Sequence, residues 1–107
     1  MTDLRKTRRQ KLEEFLAQNP NDSFSRYGVA LDCVREGDLV AAETHFRYLL
    51  ANSTDYVPAY QMYAQMLMQN GRSSEAKPIL ESGIAAAARL RNQHAQSEME
   101  GMLSELG

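Results

Sequence analysis

Apolar residues recur along this chain at intervals of three and four, and short polar breaks rich in Gly, Pro, Asn and Ser interrupt them. Positions i, i+3, i+4 and i+7 share one face of a helix, so this spacing predicts amphipathic helices. Six such stretches follow one another. The first runs from about residue 3 to 18, with Leu4, Leu12, Phe15 and Leu16 on one face, and Asn19-Pro20-Asn21-Asp22 closes it. Ser23 or Ser25 opens the second, which carries Tyr27, Ala30, Leu31 and Val34 as far as Gly37. Gly37-Asp38 supplies the positive φ that a tight interhelical turn requires. The third spans about 39 to 51, with Leu39, Ala42, Phe46, Leu49 and Leu50 as its apolar set, and Asn52-Ser53-Thr54-Asp55 ends it.

The fourth helix opens near Pro58, whose missing N–H costs nothing in a first turn, and carries Tyr60, Tyr63, Ala64 and Leu67 to Asn70-Gly71. Ser73 or Ser74 caps the fifth. Pro78 lies inside that helix and removes one backbone bond. Beyond it Ile79, Leu80, Gly83, Ile84 and Ala85 to Ala88 make a small-residue face, which predicts a closely packed neighbour. Asn92 caps the sixth, where Ala95, Met99, Met102, Leu103 and Leu106 form one stripe. Short links make consecutive helices antiparallel neighbours.

A longer period overlies the helical one. Gly37 and Gly71 stand 34 residues apart, and Ala30/Ala64, Ala42/Ala76, Phe46/Leu80 and Leu50/Ile84 repeat at the same interval. A fixed period of this length marks stacked helical hairpins. The first helix is in phase, since Leu12, Leu16 and Pro20 precede Phe46, Leu50 and Thr54 by that step.

Composition narrows the class further. Tryptophan is absent, β-branched residues are few, and Leu, Ala and Met supply much of the 43% apolar fraction, a mixture that favours helix. The net charge of −2 argues against general nucleic-acid affinity. Cys33 is the only cysteine, so no intrachain disulfide forms, which fits a reducing compartment. No secretory signal and no segment long enough to cross a bilayer is read, and a soluble, cytoplasmic protein is expected.

The repeat pattern resembles the tetratricopeptide repeat family, whose signature sets large, large, small and large residues on a first helix, then Ala, an aromatic and Pro on and after a second. The second full repeat holds Tyr60, Tyr63, Ala64 and Leu67, then Ala76, Leu80 and Ala88. The first holds Arg26, Val29, Ala30 and Cys33, then Ala42, Phe46 and Thr54. Arg26 replaces the usual opening aromatic, with Phe24 or Tyr27 expected to pack in its stead, and Gly83 stands where Ala is common. The resemblance covers roughly 8–90. It implies an all-α, right-handed αα superhelix of about three antiparallel helix pairs with a C-terminal capping helix. It divides a single domain into a partial repeat over 1–22, repeats over 23–56 and 57–90, and a cap over 91–107.

The resemblance also implies a concave groove built from the first helix of each pair, which places Tyr27, Leu31, Val34 and Arg35 there from one repeat and Gln61, Gln65, Met68 and Gln69 from the next. Tyr27 and Arg35 are candidate anchors, because Tyr and Arg are enriched at interface hot spots. Met68 offers an adaptable contact. Leu31 and Val34 are expected to pack against the first helix. Some relatives hold chaperone carboxylate tails with Lys, Arg and Asn; the matching places here are Tyr27, Leu31, Gln61 and Gln65, so that clamp is absent.

Other chemistry reads as structure. The basic run Arg5 to Lys11 lacks interleaved aromatics and is expected to be a solvated helix face. His45 and His94 have no ligand spacing and are expected at the surface or its boundary. Cys33 takes an apolar place and is expected to be a buried, inert thiol. Tyr56, Tyr60 and Tyr63 are packing residues, Tyr56 the most exposed. No catalytic, cofactor or metal site is expected. The function implied is a non-catalytic adaptor or scaffold that binds a peptide or partner protein. The alternatives are self-association into a homodimer and an accessory role in which the basic helix meets an acidic surface.

Overall fold

The computed structural model describes residues 5–106 and contains the six helices that the periodicity predicts. They are α1 (Arg8–Gln18), α2 (Ser23–Arg35), α3 (Leu39–Asn52), α4 (Val57–Gln69), α5 (Ser73–Arg89) and α6 (Gln93–Glu105), with no strand among the described residues. The fold class is all-α. The chain divides into two compact units, the first up to Leu49 and the second from Leu50 onward.

In the first unit α1 begins at Arg8, later than the expected residue 3, because Thr7 forms a capping box with Gln10. The Thr7 hydroxyl accepts from the Gln10 amide at 3.1 Å, and the Gln10 side chain accepts from the Thr7 amide at 2.9 Å. Leu4 lies outside the described residues. α1 runs antiparallel to α2: Arg8 near its start pairs with Asp32 near the end of α2, and Leu12 one turn later lies against Gly28. The cap of α2 is Asp22, whose carboxylate accepts from the Ser25 amide at 3.1 Å. Ser23 and Ser25, the expected openers, therefore lie inside the helix, because Asp22 supplies a side-chain acceptor one residue earlier.

Gly37 has φ +79°, and the amides of Gly37 and Asp38 donate back to Val34 and Cys33 at 3.0 and 2.8 Å. Asp38 then caps α3 by accepting from Ala41 at 3.3 Å. Leu16, Val29, Ala30, Cys33, Ala42, Phe46 and Leu49 are buried. Phe15, expected among the apolar face of α1, is instead 50% exposed.

Arg26 fills the place of the usual aromatic by itself. Its guanidinium lies 3.7 Å from the centroid of the Tyr48 ring and donates to the Pro20 carbonyl at 3.0 Å. A planar cation stacks on an aromatic face much as a ring does. Phe24, expected to substitute, is 74% exposed. Arg26 also meets His45 Nδ1 at 3.1 Å. A guanidinium only donates, so that ring nitrogen accepts and the imidazole is neutral. Burial, then the Arg26 charge, lowers the His45 pKa from its ordinary 6.5. Unfolding restores the ordinary value, so the unfolded chain binds the proton more readily. Stability is fully present above about pH 6.5 and declines as pH falls from there through the lowered folded pKa. Thermal melts at pH 7.5 and 5.0 should show this decline, and His45→Gln should reduce it.

In the second unit Pro58 occupies the first turn of α4. Gly71, at φ +73°, closes that helix as Gly37 closes α2, with Gly71 and Arg72 donating to Met68 and Leu67 at 3.3 and 2.8 Å. The equivalence of the two turns is the structural form of the 34-residue period. The N-cap of α5 is Arg72, not Ser73 or Ser74, and no side chain caps it. α5 runs through Pro78 to Arg89 and packs on both α4 and α6. Its small-residue face is the point of closest approach: a Cβ built on Gly83 would lie 2.6 Å from Met99 Sδ and 2.7 Å from Tyr60 Cβ. Tyr60 and Tyr63 are buried, and the Tyr60 hydroxyl donates to the Thr54 carbonyl at 2.8 Å. Tyr56 is half-buried.

Asn92 caps α6 as expected, accepting from the Ala95 amide at 3.1 Å. Ala95 and Met99 are buried, with Met102, Leu103 and Leu106 half-buried. The turn before α6 repeats the geometry of the two glycine turns, but Arg91 holds it at φ +58°. A side chain costs about 1 kcal/mol in that region. Arg91→Gly is therefore expected to raise the melting temperature by a few degrees, read by circular dichroism.

Candidate functional site

The face of α2 that is turned away from the core carries Phe24, Tyr27, Gly28, Leu31 and Arg35 in helical register. With Arg8 and Leu12 of α1 they enclose a recess of about 320 Å³ in the first unit. Gly28 and Leu12 set its depth: a Cβ on Gly28 would lie 3.1 Å from Leu12 Cδ1, so the two helices close tightly beneath the recess.

Asp32 organises the charged end. Its side chain is 7% exposed, against 66% for Arg8 and 58% for Arg35. Arg8 donates to it through Nε at 3.0 Å and through Nη2, and Arg35 donates through Nη2 to the same carboxylate. The hydrogen bond to Asp32, and then its charge, raise the Arg8 pKa. Two cations share one buried anion.

Arg9 serves a different purpose. It pairs with Glu36 at 2.9 Å, with Glu13 at 3.2 Å and with Asp38 at 3.2 Å, and its side chain is only 20% exposed. The basic run is thus not a uniformly solvated face. Arg9 ties α1 to the turn that joins α2 to α3, and Arg8 anchors to α2, because acidic residues of α2 and that turn lie opposite.

A second recess, of about 300 Å³, lies in the second unit between α4 and α6 and is lined by Gln65, Met68, Gln69, Met102 and Glu105. The residues expected in a groove therefore distribute as follows. Tyr27, Leu31 and Arg35 share the first recess, which Leu12 of α1 also lines. Val34 is half-buried and lines neither recess. Gln65, Met68 and Gln69 share the second, while Gln61 donates to Glu98 of α6 at 3.5 Å.

Sequence reasoning missed Arg8, Leu12, Phe24 and Gly28 on the first recess, Asp32 as the anchor of its arginines, and Met102 and Glu105 on the second. The i, i+3, i+4, i+7 run from Phe24 to Leu31 was a usable signal for Phe24. Asp32 gave none, since a lone carboxylate on a helix normally reads as solvated.

The remaining polar chemistry stays structural. Cys33 is fully buried, and burial pushes its thiol pKa up, which disfavours the reactive thiolate. His94 is exposed and meets Glu98 at 3.2 Å. Among the described residues no group of three or more His, Cys, Asp or Glu could hold a metal ion, and no helix is long and apolar enough to cross a membrane.

A family model described as tetratricopeptide repeat matches residues 34–100, more than half of the chain. The chain belongs to the tetratricopeptide repeat family. Its fold is similar to the solution structure of a protein from Bordetella parapertussis, with a TM-score of 0.79 and 25% identity, covering 95% of this chain and 89% of that one. No curated protein matches it. Tetratricopeptide repeats generally mediate protein–protein interaction.

Proposed function

We propose that this tetratricopeptide repeat protein is a non-catalytic adaptor or scaffold that binds a peptide or partner protein, using the exposed faces of α2 in one unit and α4 in the other. The recess along α2 carries the reading. It joins an apolar floor, an exposed aromatic and two anchored arginines, which is the residue mixture enriched where binding energy concentrates. Tyr27, Leu31, Val34, Arg35, Gln61, Gln65, Met68 and Gln69 are the contact residues of this reading. It needs no cofactor.

Affinity capture with the full chain, followed by mass spectrometry, tests the proposal when set beside Tyr27→Ala/Arg35→Glu and Gln65→Ala/Met68→Ala. Loss of the same partner from at least one variant is expected. Capture unchanged in both, with both variants folded, removes the groove reading.

Self-association is the second reading, favoured by Phe15, whose ring is half exposed on α1. Light scattering across a concentration series decides it: a monomer at the highest concentration rules the homodimer out.

A further inference from the structure

The recess in the first unit has direction as well as composition. Arg8 and Arg35 stand at the end where α2 finishes and α1 starts, while Tyr27 and Phe24 stand towards the start of α2. Asp32 fixes both guanidiniums from below while leaving each side chain more than half exposed. Two guanidiniums carry ten N–H donors between them, and this carboxylate takes three. The site therefore keeps a net positive charge and further N–H donors on two exposed side chains that are held in place before any ligand arrives, which lowers the ordering cost of binding.

Its dimensions select the ligand. Tyr27 lies five residues before Asp32, the residue that holds both guanidiniums, a rise of about 7.5 Å along the axis of α2. In an extended peptide, alternate side chains share a face, so two side chains two positions apart lie on one side at about 7 Å. A volume of about 320 Å³ admits one large apolar side chain and a short run of backbone.

We infer that this recess binds an extended acidic peptide segment of the partner, with a large apolar side chain over Tyr27, Gly28 and Leu31 and an Asp or Glu carboxylate two positions away held by Arg8 and Arg35. The inference rests on the interaction reading above and adds the chemistry of the partner. The arginines lie outside the places through which chaperone-tail relatives hold a carboxylate, so acid recognition here uses a different pair. The exposure of Phe24 beyond one end and of both arginines at the other leaves room for the chain to continue, which suits an internal side-chain carboxylate.

Full-length, isotopically labelled protein titrated with a heptapeptide tests this by backbone amide shifts. The probe is acetylated and amidated, with one Phe and one Glu two positions apart in a Gly/Ser background. Shifts are expected on α2 and on residues 8–12. Replacing the peptide's Glu by Gln, or either Arg8→Gln or Arg35→Gln in the protein, should weaken binding about tenfold, with melting temperatures confirming that both variants fold. Equal binding of the Glu and Gln peptides on α2 overturns acid recognition while leaving the interaction reading standing. Shifts confined to Gln65, Met68 and Gln69 also overturn it and move the peptide site to the second unit. Inorganic phosphate saturating the same α2 amides as tightly as the peptide makes the site a free-anion site and discards the peptide. No shift at millimolar peptide discards this inference alone; the interaction reading stands or falls by the capture experiment.

Discussion

Two Gly→Ala substitutions, both inside helices, are expected to change stability in opposite directions. Gly101→Ala should stabilise, since nothing lies within 4 Å of the added Cβ and alanine is worth about 0.5–1 kcal/mol over glycine in a helix interior. Gly83→Ala should destabilise despite the same gain in propensity. The new methyl meets Met99 Sδ at 2.6 Å and Tyr60 Cβ at 2.7 Å. The thioether can swing away, but Tyr60 Cβ is fixed to the backbone of α4, so α4 and α5 must separate. Overpacking of this kind costs about 1–3 kcal/mol, which outweighs the propensity gain. For a domain of this size each 1 kcal/mol moves the melting temperature by roughly 4–8 °C. Calorimetry of both variants decides the matter: a Gly83→Ala variant as stable as Gly101→Ala would show that the α4–α5–α6 contact is looser than the geometry requires.

Phe46→Ala should be the most damaging single truncation in the first unit. Phe46 is fully buried and is one of the largest buried side chains of the chain. Deleting a buried phenyl ring costs about 3–5 kcal/mol, the lost transfer free energy together with the cavity left behind. That is a large share of the 5–15 kcal/mol that holds a typical domain together. Phe46→Leu should cost under about 1.5 kcal/mol, the usual loss for a near volume-conserving swap. The repeat supplies the precedent, because Leu80 occupies the equivalent place 34 residues later and is itself fully buried. Urea denaturation should show a lower midpoint with an unchanged slope for both variants, in that order of severity.

Both results bear on how much of the molecule was legible before its coordinates. The pairs Ala30/Ala64, Ala42/Ala76 and Phe46/Leu80 were read from their period alone, and all six are fully buried. The turns at Gly37 and Gly71 were equally legible, since a positive φ at a helix end is a local demand that glycine meets at least cost. Caps were read less well. Thr7 starts α1 later than the expected residue 3, and Asp22 and Arg72 stand at the caps expected at the neighbouring serines, because helix ends depend on backbone geometry within one or two residues. Gly83 departs from the family pattern in the sequence, but only the distance to Tyr60 gives the reason.

The candidate site was half legible. Tyr27, Leu31 and Arg35 follow from register on one helix, as do Gln65, Met68 and Gln69 on another. Arg8 and Asp32 do not, being 24 residues apart on different helices, and only the antiparallel docking of α1 on α2 brings them together. By itself the sequence determined the helices, their phase and the buried Ala30, Ala42, Ala64 and Ala76, because propensity, periodicity and turn chemistry are local and repeat. Of the small residues on α5, Ala86 and Ala87 are buried and Ala85 and Ala88 exposed. The tertiary structure alone decided that Arg26 stacks on Tyr48 in an aromatic's place, that Arg9 is tied down, and that Asp32 anchors two arginines beside an apolar recess. Charges take their roles from what lies opposite them in space, and that is fixed only when the helices pack.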